Sequence, residues 1–268
     1  MRLLICSPKP ASESAQFLEQ ALKREGHSTI WADQAESETA GADAAYYRGR
    51  FDSQGNTEAM MAFSRAEAEG TKTINSSAGI LNARHKLLTW RLLERARLPF
   101  PATFMPGSPP QQAPENGYMV KPDCGSCGQG IQFKPSWEKA VEAANRQGDS
   151  YLIQAFQPGQ IVRVVSGKAG GLFGYYHRQI ITRSEDGQET VILETGESDP
   201  LDKSDQSACF ELAGMAVKAL GCDMAGVDLV VNEGKAFILE ANTGWAMRAE
   251  DEAWNRLIIE EMKRIAES

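Results

Sequence analysis

The chain has 268 residues, with 28 Lys and Arg against 36 Asp and Glu, a formal net charge of −8. This length fits one large or two modest domains and can bury a core without disulfide staples. The negative balance argues against nucleic acid and anionic membrane as partners, and a composition 42% hydrophobic and 24% charged excludes global disorder. No apolar run approaches the length of a membrane span. The opening residues 1–6 meet Pro8 and Lys9 too soon for a signal peptide, so a cytoplasmic location is expected. Cys6, Cys124, Cys127, Cys209 and Cys222 are odd in number and scattered, which argues against a disulfide framework.

In chain order, residues 3–6 form a short apolar run suited to a buried parallel strand. A helix follows with Phe17, Leu18, Ala21 and Leu22 on one face, and Gly26 stops it. Residues 29–31 read as a second strand, with 44–47 and 71–74 as weaker ones, which gives a small βαβ layer. The turn after the first strand, Ser7-Pro8-Lys9-Pro10-Ala11-Ser12, lacks the G-x-G-x-x-G pattern, so a dinucleotide site is not expected there. A helix is predicted from about 84 to 96, before Pro99 and Pro101, and the Pro-, Gln- and Gly-rich stretch 106–116 reads as a loop. Residues 118–121 form a strand, and 131–133 another, on either side of a glycine-rich segment. A helix over 137–146 leads into a buried strand at 151–154. Antiparallel strands are predicted over 161–193, with turns at 167–171 and 184–187. Cys209, Leu212, Ala213, Ala216, Val217 and Leu220 recur at helical spacing, and Gly221 closes that helix. Residues 226–231 and 236–240 form a hairpin around Asn232-Glu233-Gly234, and a C-terminal helix is expected to bury Trp254, Leu257, Ile258 and Ile265.

Three groups of residues suggest chemistry. Gly125, Gly128 and Gly130 surround Ser126, and such a loop can turn backbone N–H groups toward an anion, typically phosphate. No Gly-Lys-Ser/Thr follows, so it is not a Walker loop; it reads as a flap over phosphates or as a flexible surface hairpin. Lys121 ends the strand entering this loop, on the face opposite Tyr118 and Val120, and is suited to neutralise phosphate or simply to meet solvent. Cys124 and Cys127 form a C-x-x-C, but no second pair lies nearby and His27, His85 and His177 are far apart in sequence; the pair reads as incidental to the glycine loop rather than as a zinc or redox centre. Near the C-terminus Asp228 sits inside an apolar strand, while Glu240 and Asn242, two apart, share one face of the partner strand. Two carboxylates and an amide are what Mg²⁺ takes when phosphates and water complete its shell. Arg163 and Arg178, in or at the end of apolar strands, could stabilise a transferring phosphoryl group or pair with neighbouring carboxylates.

These pieces, in this order, resemble the ATP-grasp superfamily, and most closely the branch of ribosomal-protein glutamate ligase, lysine-biosynthesis ligases and glutathione synthetase. The resemblance runs from about residue 74 to 244. Ile74-Asn75-Ser76-Ser77-Ala78 with Ala83-Arg84-His85-Lys86 resembles the branch's entry motif, which puts Lys86 at its first ATP lysine. Val120-Lys121-Pro122 and the following glycines match the second lysine and the phosphate flap, and Leu152-Ile153-Gln154-Ala155-Phe156 resembles the hinge whose backbone holds adenine. Ala225-Gly226-Val227-Asp228-Leu229 and Leu239-Glu240-Ala241-Asn242 match the metal-binding signature. The chain departs from the pattern at His85, where an aspartate is usual, at Ala155 in place of the hinge glutamate, at Ile161 in place of the aspartate of Gly-x-Asp-x-Arg, and at 190–196, which lacks the expected asparagine.

The resemblance implies an α/β (α+β) ATP-grasp fold, with an N-terminal α/β layer over 1–82 and an ATP-grasp domain over 83–268, its subdomains about 83–155 and 156–268. It implies an ATP- and Mg²⁺-dependent carboxylate–amine ligase working through an acyl phosphate, with Mn²⁺ an alternative metal. Lys86, Lys121, Gly125, Ser126, Gly128, Gly130, Gln154, Ala155 and Phe156 would bind ATP. Asp228, Glu240 and Asn242 would hold the metal, and Arg163 and Arg178 would serve catalysis. The partners expected are ATP, a small-molecule or peptide carboxylate and an amine; the oligomeric state is left open, a homodimer being common among such folds. A non-catalytic ATP-binding module and a phosphotransferase on the same fold are the competing readings.

Overall fold

In the computed structural model the chain is described at residues 1–7, 13–32, 41–48, 56–125, 130–146, 150–168, 170–183, 189–194, 203–244 and 252–268. It divides into two compact units. The first comprises Met1–Leu81 with Gly221–Gly226 and Asn242–Ser268. Strand β1 (Arg2–Cys6) is followed by α1 (Glu13–Arg24), β2 (Ser28–Trp31), β3 (Ala44–Tyr47), α2 (Asn56–Ala68) and β4 (Lys72–Ile74). The strands run parallel in the order β2-β1-β3-β4. A parallel strand is covered on both faces, and accordingly Leu3, Leu4, Ile5 and Cys6 are all fully buried. Leu4 and Cys6 join Ala45, Tyr47 and Phe63 in one core, each large side chain contributing roughly 1.5–3 kcal/mol by its burial. Helix α2 is not evident from the sequence. Its buried stripe is Ala59, Phe63 and Ala66, but Met61 on another face is 58% exposed, which blurs the apolar period.

After β4, Asn75 takes a left-handed φ of 66°. Its side-chain carbonyl accepts from the amides of Asp223 and Met224 at 2.8 and 3.0 Å, and its own amide donates to Asp223 Oδ2 at 2.9 Å. Helix α3 (Ser77–Arg84) starts behind Ser76, whose hydroxyl accepts from the Gly79 amide at 3.1 Å. The sequence predicts one helix over 84–96. Instead, extended backbone at His85 (φ −87°, ψ 109°) separates α3 from α4 (Lys86–Arg95).

The second unit comprises Asn82–Leu220 with Val227–Ala241. Helix α4 leads to β5 (Thr103–Phe104), β6 (Tyr118–Pro122), β7 (Gln132–Lys134), α5 (Trp137–Arg146) and β8 (Tyr151–Ala155). The strands form an antiparallel sheet in the order β5-β8-β6-β7. Tyr118, Val120 and Ile153 pack with Ala140 and Ala144 of α5, so strand alternation sends Lys121 to the opposite face, as the sequence predicts.

The same unit carries most of a second sheet from β9 (Gln160–Gly167), β10 (Gly170–Arg183), β11 (Glu189–Glu194), β12 (Met224–Asn232) and β13 (Lys235–Asn242), in the order β11-β10-β9-β12-β13; the first residues of β12 and the last of β13 count with the first unit. Helix α6 (Lys203–Ala219) packs on β9 and β10 with Cys209, Leu212, Ala213, Ala216 and Val217 buried. At the β12–β13 turn both Glu233 and Gly234 have positive φ, 49° and 73°, the type I′ geometry that suits a two-residue hairpin.

The chain ends in α7 (Glu252–Glu267), which packs against α1 and β4 and belongs to the first unit. Ile258, Ile259, Met262 and Ile265 form its buried face. Leu257, expected inside, is exposed, because it lies about 100° around the helix from Ile258 and off the Ile258–Met262–Ile265 stripe. The expected burial of the Trp254 side chain lies outside the described residues. No described helix is long and apolar enough to cross a membrane.

Candidate active site

The pleat of β6 and β8 sets Lys121 against Gln154. Lys121 Nζ donates to Gln154 Oε1 at 2.6 Å, Gln154 Nε2 donates to Thr103 Oγ1 at 3.1 Å, and Thr103 Oγ1 donates to the carbonyl of Pro101 at 2.8 Å. All three side chains are buried. Each donor in this chain of bonds finds an acceptor, which is what makes a cation tolerable at such depth. Burial nevertheless brings the Lys121 ammonium down to about 8, with Glu240 and Asp228 opposing the fall and Lys86 adding to it. Thr103 is a member that the sequence does not reveal, because it lies just after Pro99 and Pro101 in a stretch with no periodic pattern.

The last hairpin supplies the acid. Asp228 of β12 is buried and receives both Nε and Nη2 of Arg163 from neighbouring β9. Glu240 of β13 lies within hydrogen-bonding contact of the same carboxylate. Burial pushes the Asp228 carboxyl up to about 6, against the pull of Arg163, and Glu240 adds to the rise. Lys86 Nζ, at the first residue of α4, stands 3.7 Å from Glu240 Oε2. Three cations and two carboxylates therefore converge, and an apolar pocket adjoins them, lined by Thr89, Trp90, Leu93, Phe100, Leu152 and Leu239 together with Lys86 and Lys121. Two carboxylates so close need a proton or a cation between them, and their oxygen atoms suit Mg²⁺. The oxygen donors are of the kind Mg²⁺ takes, but both Asp228 oxygens are engaged by Arg163, which would have to give way to the ion.

Asn242 ends β13 two residues after Glu240, on the same face by strand alternation. Gly125 and Gly130 flank the loop, Gly130 with a φ of 74°, whereas Ser126 and Gly128 lie outside the described residues. The expected adenine hinge lies at the end of β8, but two of its amides are already used: Ala155 N–H donates to Ala102 O at 2.7 Å and Phe156 N–H to Gly117 O at 2.9 Å. Arg178 of β10 registers with Gln160 of β9 and Glu194 of β11, out of phase with the Arg163–Tyr175 pair on the same ladder.

One junction escapes the sequence reading. Asp123, just past β6, accepts the Lys86 amide on its backbone oxygen at 3.0 Å and the Leu87 amide on Oδ1 at 2.8 Å. It thereby caps α4, whose own N-cap residue His85 makes no side-chain cap bond. A cap supplied from 36 residues away leaves no local sequence signal.

The ATP-grasp domain model matches residues 83–244. A probable alpha-L-glutamate ligase of Haemophilus influenzae (strain Rd) is 26% identical over 276 residues, covering 90% of this chain and 89% of its own. A protein of the same description from strain PittEE is 28% identical over 188 residues, covering 66% and 61%. Among solved structures, D-alanine–D-alanine ligase from Bacillus anthracis superposes with a TM-score of 0.67 at 14% identity, covering 100% of this chain and 99% of that one. The ATP-grasp ligase PsnB with its minimal precursor gives 0.65 at 18% identity, covering 97% and 98%. With a domain match over more than half its length, the chain belongs to the ATP-grasp family and is an enzyme of the ATP-grasp ligase type.

Proposed function

We propose that the protein joins a carboxylate to an amine in an ATP- and Mg²⁺-dependent reaction that passes through an acyl phosphate and releases ADP and phosphate. The observation that carries this reading is the meeting of Asp228 and Glu240 with Lys86, Lys121 and Arg163 beside an apolar pocket. A base has apolar walls there, and polyphosphate has cations.

In this reading Lys86 and Lys121 hold phosphate oxygens, and the glycine segment from Gly125 to Gly130 supplies backbone donors over them. Asp228, Glu240 and Asn242 hold Mg²⁺, which when bound neutralises phosphate charge. The substrate carboxylate oxygen attacks the γ-phosphorus and the bond to ADP breaks. The amine then attacks the acyl carbon, phosphate departs, and the amine loses a proton. Arg163, which is paired with Asp228 in the structure, would on release from it meet the charge on the transferred group. No side chain forms a covalent bond, so positioning and charge carry the rate. The names of the curated relatives make glutamate the first amine and the first carboxylate to try.

The test is ADP and phosphate release with ATP, Mg²⁺ and pooled amino acids and peptides. Amine-dependent release that Glu240→Ala abolishes in a folded protein supports the reading. Nucleotide binding without release, or transfer to a stable phosphorylated product, overturns it.

A further inference from the structure

We propose that His85, Asp123 and Cys124 form a second metal site, separate from the carboxylate pair, that takes a thiophilic divalent cation of the Zn²⁺ type. His85 Nδ1 lies 2.7 Å from Asp123 Oδ2 and 3.2 Å from Cys124 Sγ, and Sγ lies 4.0 Å from the same Oδ2. These donor atoms all fall within 4.8 Å of one another. Donors on one four-coordinate zinc, with bonds of about 2.0–2.3 Å, stand about 3.3–3.6 Å apart; the N–S spacing is close to that, while the hydrogen-bonded N–O pair has to open and the S–O pair to close, each by roughly half an ångström, to admit the ion.

The arrangement does not suit a Cys–His nucleophile. There the imidazole uses one ring nitrogen for the thiol and the other for the carboxylate. Here the nitrogen nearer to both partners is the same Nδ1. Three groups aimed at one point share either a proton or a metal. Sulfur and imidazole select zinc over Mg²⁺, which prefers oxygen alone.

Asp123 uses Oδ1 for the Leu87 amide, which orients Oδ2 toward the cluster. His85 holds the N-cap position of α4 without capping it, which leaves its ring free to turn to Asp123 and Cys124. Access is open: the His85 side chain is 37% exposed and Cys124 is exposed. Binding releases the thiol proton of Cys124 and requires a neutral imidazole with its proton on Nε2. The bound ion would clip the end of β6, which bears Lys121, to the start of α4, which bears Lys86.

The experiment titrates the full chain with Co²⁺ and Zn²⁺ without nucleotide. Expected are one thiolate-to-cobalt charge-transfer band, a one-to-one stoichiometry, displacement by Zn²⁺ and a higher Tm with Zn²⁺. Cys124→Ser should remove the band. His85→Ala should weaken Zn²⁺ binding more than the ~10–100-fold typical of losing an outer-shell partner. Glu240→Ala should leave both unchanged, which separates this site from the proposed Mg²⁺ cradle. A band that persists in Cys124→Ser, Zn²⁺ affinity unaltered by His85→Ala, or binding lost in Glu240→Ala overturns the proposal.

Discussion

Lys121 is held by Gln154, 33 residues away, through a 2.6 Å hydrogen bond between adjacent antiparallel strands. The amide matters because the ammonium is buried. Gln154→Leu keeps the volume, removes the acceptor of Lys121 and takes from the Thr103 hydroxyl the N–H that it accepts, leaving its own bond to Pro101 intact. Urea unfolding should register a loss of about 1–3 kcal/mol, and the KM for ATP should rise. A variant as stable as the parent would show that the bond contributes nothing.

The same burial sets a pH limit on nucleotide binding. Lys121 is charged below about 8 and neutral above it. ATP affinity measured calorimetrically should therefore fall as pH rises through about 8, and Lys121→Arg should carry the affinity to higher pH. A flat profile for the parent across that range would contradict the assignment of Lys121 to the phosphates.

Asp228 predicts a slope of stability in acid. Its carboxyl titrates near 6 in the folded chain against an ordinary 3.8. Between those values the native state holds a proton that the unfolded state has released, so the contribution of Asp228 is complete below the lower value and is lost as pH rises through the upper one. Two units correspond to at most about 3 kcal/mol. The difference in unfolding free energy between the parent and Asp228→Asn should change by an amount of that order over the interval; parallel curves would refute it.

Gly159 precedes the strand that carries Arg163. Its φ is +152°, and a Cβ there would stand 2.3 Å from the Val231 carbonyl oxygen. Gly159→Ala should lower Tm and cost more than about 1 kcal/mol, since backbone has to shift. Gly234 also has a positive φ, 73°, but in the left-handed region that asparagine tolerates and with open space around it, so Gly234→Asn should be nearly neutral in the same melt.

Much of the architecture is legible in short patterns. The apolar run of β1, the helical spacing of α6 and the turn residues of the last hairpin each answer to one local force, and each appears where the spacing puts it. The carboxylate pair is legible too, because an aspartate inside an apolar strand is costly unless it has work there. What escapes depends on distant partners. The burial of α2 is decided by the sheet that it covers, the break at His85 by Asp123, and the role of Thr103 by Gln154 on the neighbouring strand.

Asp123 has one further consequence. Its carboxylate and carbonyl begin α4, although the residue stands at the entrance of the glycine segment. That segment is therefore not an interchangeable cassette. Grafting a relative's loop after Pro122 would unseat the first turn of a helix elsewhere in the chain, and with it the amine of Lys86. Engineers who wish to retune the loop should leave its first residue alone.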